Sequence, residues 1–181
     1  HDIREYDISE LYSIYGIIFQ DFGRYAVSVR ENVSFSDINS PIDDERVSKA
    51  AKESGAEDFI KNLPGGYDTA LMRYFEEDGI ELSTGQWQKL SVARAFYSDS
   101  DILILDEPTA VLTPQETEKL FETLRRMKSE GCSVIIITHK LNEVMEISDR
   151  VAILRKGKLA GIVNTAESSE EEVAGMMIGG K

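Results

Sequence analysis

Cysteine, histidine and basic residues are scarce in this sequence, and each shortage excludes a class of protein. The single cysteine, Cys132, excludes an internal disulfide and a cysteine metal cluster. It precedes an apolar run, which favours a buried, inert thiol. With only two histidines, His1 and His139, a multi-histidine metal site is not expected. The formal net charge of −13 argues against binding to nucleic acid, and against attachment to anionic lipid by charge alone.

Long apolar segments are also missing. No apolar run approaches the ~18 residues that a membrane-spanning helix needs. The polar, acidic start has neither the basic nor the apolar region of a signal peptide. With 181 residues, the chain can form one domain with a sizeable core, or a core and a small subdomain. Since His1 is not a natural start residue, we expect the chain to begin inside a longer protein.

Short apolar strands and amphipathic helices alternate along the chain, which predicts an α/β fold. Strands are predicted over 14–19, 102–105 and 134–137, and a hairpin over 151–163. The run at 134–137 is entirely apolar, as expected of a parallel strand covered on both faces. Segment 27–35 fits either a short helix or irregular structure, and 71–81 is predicted as an acidic loop. Helices are predicted over 43–51, 56–63, 84–97, 114–129, 140–146 and 168–177.

Two adjacent carboxylates, Asp106 and Glu107, follow the apolar strand. Because strand residues alternate between faces, we expect them to point in different directions from the same edge. One could then hold Mg²⁺ while the other polarises an attacking water. The alternative is a strand end followed by an ordinary acidic turn.

The segment Ser83-Thr-Gly-Gln86 opens a helix. It reads as a capping box, in which Ser83 caps the helix and Gln86 reaches back to it. It also reads as a phosphate site, because free amides at a helix N-terminus bind anions and Gly85 permits close approach. The two interpretations are compatible.

The order of these motifs resembles that of the nucleotide-binding domain of ATP-binding cassette (ABC) proteins. The segment before the helix is similar to the family's signature loop, and Asp101-Ile-Leu-Ile-Leu-Asp-Glu-Pro-Thr109 to its Walker B strand. The resemblance implies that Asp106 holds Mg²⁺ and that Glu107 is the general base. It also implies that the signature loop binds the γ-phosphate of ATP held on a second subunit, through Ser83, Thr84, Gly85 and Gln86. Thr84 stands where the family usually has glycine and adds a side chain at a crowded spot.

Two further residues gain a role only from the resemblance. His139 follows an apolar strand and resembles the switch histidine that contacts the γ-phosphate. By itself it would be taken for a structural or surface histidine. Gln20 ends the first strand and resembles the Q-loop glutamine, which contacts Mg²⁺ and water.

No Gly-x-x-x-x-Gly-Lys-[Ser/Thr] phosphate loop occurs in the chain. We therefore expect a P-loop NTPase-like (RecA-like) core with an inserted α-helical subdomain, lacking the phosphate-loop strand. The predicted divisions are residues 1–24 (partial core with the Q-loop), 25–98 (helical subdomain), 99–163 (core) and 164–181 (C-terminal helical tail). On its own, such a chain is expected to be inactive.

The resemblance changes character along the chain. Up to about residue 110, segments such as Asn62-Leu-Pro-Gly-Gly-Tyr-Asp-Thr69 look like exporter domains. From Ala110 onwards, segments such as Thr138-His-Lys-Leu-Asn-Glu-Val144 look like sugar- or nucleoside-import ATPases. A mosaic gene, an assembly artefact or one misleading impression would each explain the change.

The resemblance implies an ATPase that powers solute transport at the cytoplasmic face of a membrane. Its cofactors would be ATP and Mg²⁺. Its partners would be a transmembrane permease domain and a second nucleotide-binding domain, paired head to tail; no nucleic acid is expected. Two alternatives stay open: a soluble ABC ATPase that moves no solute, and a non-hydrolytic fragment that only completes a partner's ATP site.

Overall fold

A computed structural model describes residues 3–19, 21–38 and 40–179. The chain divides into two compact units, one ending at Ile137 and the other beginning at Thr138. In the first unit the α-helices are α1 (Ile8–Ile14), α2 (Val29–Ser34), α3 (Asp44–Glu53), α4 (Glu57–Ile60), α5 (Thr84–Tyr97) and α6 (Pro114–Ser129). Its strands are β1 (Tyr15–Ile18), β2 (Ile102–Asp106) and β3 (Ser133–Ile137). The second unit contains α7 (Leu141–Ile147), β4 (Arg150–Arg155), β5 (Lys158–Asn164) and α8 (Glu170–Ile178).

The first unit is built on a parallel sheet in the order β1-β2-β3. Its register places Ile17 beside Ile104 and Ile104 beside Ile135. The strands are short and rich in isoleucine and leucine. Because all three strands run in the same direction, their carboxyl ends lie at one edge of the sheet, where β2 ends in Asp106.

The described residues cover only one face of this sheet. Leu103 and Leu105 on β2 are buried, and α5 and α6 contact β1 and β3, respectively. On the other face, Ile135 and Ile137 are 49% and 52% exposed. The expectation that the strand at 134–137 is covered on both faces is therefore wrong. An all-apolar run cannot show by itself whether both faces of a strand find a cover.

A compact cluster of helices lies between β1 and β2 in the sequence. It is formed by α2, α3, α4 and α5, whose apolar side chains pack together around the buried Trp87, Leu90 and Tyr97. Asp43 caps α3 by accepting hydrogen bonds from the amides of Glu45 and Arg46. The helical insertion expected between the strands is present as a structural feature.

Three local features differ from the prediction or settle an open choice. The helix α1 precedes β1, whereas the sequence predicted only the strand over 14–19 in this part of the chain. Segment 27–35 contains the helix α2, which begins with a capping box between Ser28 and Glu31. The helix predicted over 56–63 is the single-turn α4, and turns follow it to Pro64-Gly65.

Cys132 is half-buried, and its thiol contacts the carbonyl oxygen of Ser100 at 3.4 Å. Burial raises the pKa of this thiol. The thiol therefore stays protonated at neutral pH, which agrees with the predicted inert cysteine although the side chain is not fully buried.

The second unit contains the predicted hairpin. Strands β4 and β5 pair antiparallel, and α8 contacts β4. Ser169 caps α8 and Gly179 ends it in the left-handed conformation, with a φ of 79°. Across both units, none of the described helices is long and apolar enough to cross a membrane.

The open edge and face of β3 generate a prediction about the chain in isolation. Among the described strands, β3 pairs only with β2, so its other edge carries unpaired backbone groups beside exposed isoleucines. Such edges promote association. We expect the 181-residue chain to self-associate, and Ile135→Lys to reduce the associated fraction in size-exclusion chromatography with light scattering.

The control substitution is Leu105→Lys, which places a charge in the buried core of the same sheet. It should lower the melting temperature sharply, because an unpaired charge would be buried, whereas Ile135→Lys should not. A monodisperse wild-type monomer across a wide concentration range would contradict the prediction.

Candidate functional site

The two carboxylates predicted to carry chemistry lie at the carboxyl end of β2. Asp106 is the last residue of the strand, and the Glu107 amide donates to the Ile137 carbonyl oxygen at 2.9 Å. Glu107 has a φ of 47°, in the left-handed region that non-glycine residues rarely adopt. Such conformations cost free energy and cluster at functional sites. The strained residue is therefore the one predicted to act as the base.

The left-handed turn changes the expected geometry. In a regular strand, Asp106 and Glu107 would point to opposite faces, but the regular alternation ends where the backbone turns at Glu107. Both residues instead line one cavity of about 180 Å³. Ile18 and Phe19 from the end of β1 also line it. The cavity therefore lies at the edge of the sheet where the two carboxylates and the end of β1 meet.

The N-terminus of α5 borders this cavity. Thr84 and Gln88, one turn apart on α5, contribute to its lining. Thr84 is exposed, so its side chain is not crowded by the rest of this chain. The helix thus brings Thr84 of the signature-like loop into the same cavity as the predicted magnesium ligand and base.

The rest of the signature-like loop, residues 83–86, lines a second, larger pocket of about 510 Å³. Ser83, Gly85 and Gln86 line it, together with Phe59 from α4. Val111 lines both this pocket (the loop pocket) and the cavity that contains Asp106 and Glu107 (the acid-lined cavity), so the two are adjacent.

The loop is closed by the predicted capping box. The Gln86 amide donates to Ser83 Oγ at 3.3 Å, and the Ser83 amide donates to Gln86 Oε1 at 2.8 Å. A Cβ atom at Gly85 would meet only the Val111 carbonyl oxygen, at 3.9 Å. Packing within this chain therefore leaves room for a side chain at position 85, and the first turn of α5 is open to an incoming group.

Lys89 and Glu116 form an ion pair across the loop pocket. The distance between Lys89 Nζ and Glu116 Oε1 is 2.5 Å, and both residues are part of the lining. The hydrogen bond from Lys89 and that from the Thr113 amide lower the pKa of Glu116. Glu116 also completes the capping box of α6 with Thr113. The pair therefore joins α5, the helix that follows the signature-like loop, to the start of α6.

Arg94, further along α5, makes structural contacts that the sequence did not predict. Its guanidinium donates to the carbonyl oxygen and Oδ1 of Asn32, both at 2.8 Å, and to the Gly23 carbonyl oxygen at 2.7 Å. It also lies over the Tyr25 ring, 4.8 Å from the centroid. Burial lowers the pKa of Arg94 to about 10, so the group remains charged at neutral pH. It fixes the segment that follows β1 against α5.

Helical spacing puts Arg94 on the same face of α5 as Leu90, Ala93 and Tyr97. The signal was a long cation among apolar positions of a buried helix, which requires several acceptors nearby. The acceptors are backbone carbonyls and an asparagine far away in sequence. Their positions could not be read from the helix itself.

Two predicted site residues remain, Gln20 and His139. His139 is exposed, directly after β3 and inside the second unit. Lys140, next to it, pairs with Glu143 at 3.0 Å. Gln20 lies outside the described residues.

Magnesium coordination can be tested against the described donors. They contain no group of three or more His, Cys, Asp or Glu residues arranged to hold a metal. Mg²⁺ in nucleotide sites typically takes one or two carboxylates, with waters and substrate phosphates supplying the other ligands. The pair at 106–107 fits this mode and does not fit an all-protein metal cage.

Comparison with known proteins assigns the family. The family model described as "ABC transporter" matches residues 1–110, more than half of the 181-residue chain. The glucose import ATP-binding protein TsgD13 of Haloferax volcanii is 52% identical over 99 residues, 55% of this chain and 18% of that protein. The nisin transport ATP-binding protein NisT of Lactococcus lactis is 35% identical over 147 residues, 81% of this chain and 24% of that protein.

A chloroplastic relative from Arabidopsis thaliana, ABC transporter B family member 29, is 37% identical over 158 residues, 87% of this chain and 24% of that protein. A solved structure of a bacterial Atm1-family ABC exporter with ATP bound superimposes with a TM-score of 0.78 at 27% identity. That alignment covers 92% of this chain and 28% of the exporter. The chain spans about a quarter or less of the curated relatives' length.

The structural match extends to the fold class. The sheet, the helical insertion and the family match together confirm the predicted α/β, P-loop NTPase-like fold. Proteins that import and proteins that export are both among the relatives. The chain therefore belongs to the ABC transporter family, as part of a nucleotide-binding domain.

Proposed function

We propose that this chain belongs to the ATP-hydrolysing machinery of a transporter that moves a solute across a membrane. The observation that carries the proposal is the placement of Asp106 and Glu107 in one cavity bordered by the N-terminus of α5. A strained turn holds Glu107 at the end of a buried strand. Carboxylates at this position can hold a metal ion and orient water for attack on a phosphate.

In this mechanism the two carboxylates have separate roles. Asp106 would hold Mg²⁺, which neutralises phosphate charge when bound. Glu107 would accept a proton from the attacking water and orient it. The open first turn of α5, with the amides near Gly85, would bind a phosphate oxygen through backbone N–H groups. From the family resemblance, Gln20 is proposed to contact Mg²⁺ and water, and His139 to contact the γ-phosphate.

The loop pocket supports a paired arrangement. It lies beside the acid-lined cavity and is lined by Ser83, Gly85 and Gln86. We propose that the phosphates in this pocket belong to ATP held mainly by a second nucleotide-binding domain, arranged head to tail. The proposed partners are that second domain and a transmembrane permease domain, with the assembly at the cytoplasmic face of the membrane. The divisions 1–24, 25–98, 99–163 and 164–181 belong to the same proposal.

The role of Glu107 is tested by Glu107→Gln in the full-length protein that carries this chain. ATP turnover should fall at least about 10²-fold, the scale of general base catalysis, because the amide cannot accept the proton. ATP binding should persist, because other groups hold the phosphates. Steady-state phosphate release and equilibrium binding of a fluorescent ATP analogue measure the two effects.

The matched control is Glu122→Gln, on the exposed surface of α6, which should leave turnover unchanged. If Glu107→Gln hydrolyses ATP near the wild-type rate, Glu107 is not the base. If wild type itself binds ATP without hydrolysing it, the chain only completes a partner's site.

His139 is tested in the same protein by His139→Ala. Since His139 is exposed, its removal should leave packing and the melting temperature nearly unchanged. Hydrolysis should stop, because the imidazole is proposed to face the nucleotide. A large drop in melting temperature would instead assign His139 a structural role.

Ser83 is tested by Ser83→Ala in the Glu107→Gln background, where ATP-bound pairs should accumulate. Loss of the cap should cost about 1 kcal/mol of local helix stability. Loss of a phosphate contact should in addition weaken ATP-dependent dimerisation, which light scattering measures. The control is Ser28→Ala, which removes an equivalent cap from α2 at a site with no proposed phosphate. Equal dimerisation by both variants would leave Ser83 as a cap only.

A further inference from the structure

Gln88 is a buried polar side chain on α5 whose contacts reach the strained turn at Glu107. It is 5% exposed and lies one turn after Thr84. Its Nε2 donates to the Pro108 carbonyl oxygen, and lies 3.4 Å from the Glu107 carbonyl oxygen. Because both neighbours are acceptors, the amide nitrogen must face the turn.

The other end of the Gln88 amide shows that packing alone does not account for this residue. Its Oε1 is buried and has no hydrogen-bond partner among the described residues. A methionine of nearly the same length would fill the space without burying an unsatisfied acceptor. An unsatisfied buried polar group in a native structure requires an explanation other than the filling of space.

The contacts of the turn supply that explanation. Glu107 has a φ of 47°, and its carbonyl oxygen also accepts from the Ala110 amide at 3.2 Å. A left-handed non-glycine residue persists only when surrounding contacts hold it. The Gln88 amide nitrogen donates to the carbonyl oxygens of two consecutive residues, Glu107 and Pro108, and therefore fixes the direction in which the Glu107 side chain leaves the backbone.

We infer that Gln88 is a positioning residue that holds the Glu107 carboxylate in place for hydrolysis, acting through the backbone of residues 107–108. The inference rests on the proposed ATPase function. It also gives α5 a second role. The N-terminus of the helix borders the loop pocket, and one turn later Gln88 on the same helix donates to the turn that carries the proposed base. A displacement of α5 would therefore move Glu107 in the same chain.

The first test is Gln88→Met in the full-length protein, with Mg-ATP as substrate. The variant keeps the side-chain length and removes the donor. We expect kcat to fall between about 10- and 10²-fold, the cost of misplacing a catalytic group by about 1 Å, with little change in KM. The melting temperature should not fall, since the buried volume is retained. In the Glu107→Gln background, Gln88→Met should cause no further loss, because the two residues act as one unit.

The second test is Gln88→Glu, which responds to pH in a way that a packing role would not produce. The introduced carboxyl can donate a hydrogen bond to the Pro108 carbonyl only when protonated. Burial favours that neutral form and raises its pKa. The ratio of variant to wild-type kcat should therefore rise as pH falls from about 8 to about 6, the direction expected for such a raised pKa. This variant also decides the question if Gln88→Met fails to fold.

The control is Ser91→Ala, a buried polar position on the same helix with no described contact to residues 107–108. Its kcat should match wild type. If wild type hydrolyses ATP and Gln88→Met has the same kcat, or if the Gln88→Glu ratio does not change with pH, the positioning role is wrong while the proposed function stands. If wild type does not hydrolyse ATP, both the positioning role and the proposed function are wrong.

Discussion

The burial of α5 is the constraint on which the rest of this structure depends. Trp87, Leu90 and Tyr97 are fully enclosed, and the helix contacts α2, α3 and β1. Fixing one helix against both the sheet and the helical cluster fixes its N-terminus as well. At that end, a helix presents amides without intrahelical partners, which the capping box satisfies only in part. Hydrophobic packing of one helix therefore sets the geometry of a polar site.

The polar contacts of α5 follow from the same placement. Arg94 ties it to the segment after β1, Gln88 to the turn after β2, and Lys89 to the start of α6. The Arg94 and Gln88 contacts reach segments adjacent to the predicted site residues Gln20 and Glu107. The helix α5 thus fixes the signature-like loop, the two carboxylates and the segment after Gln20 relative to one another.

The sequence was sufficient to predict the elements whose signals are local. The capping box of Ser83 and Gln86 is a sequence motif, and the parallel strands are short apolar runs. The left-handed backbone at Glu107 was not predictable, because it depends on contacts with residues distant in the chain. The exposure of Ile135 was missed because an apolar run carries no information about what covers it. Neither the partners of Arg94 nor those of Gln88 have a local signature.

The central claim is that Glu107 and the N-terminus of α5 belong to one phosphate-hydrolysing arrangement. The most direct measurement is a structure of the full-length Glu107→Gln protein with Mg-ATP. We predict that the residue at 107 faces the γ-phosphate from one copy while the amides near Gly85 bind the same phosphate from the other. We further predict that the Gln88 amide still donates to the Pro108 carbonyl. A triphosphate bound away from both elements would contradict the claim.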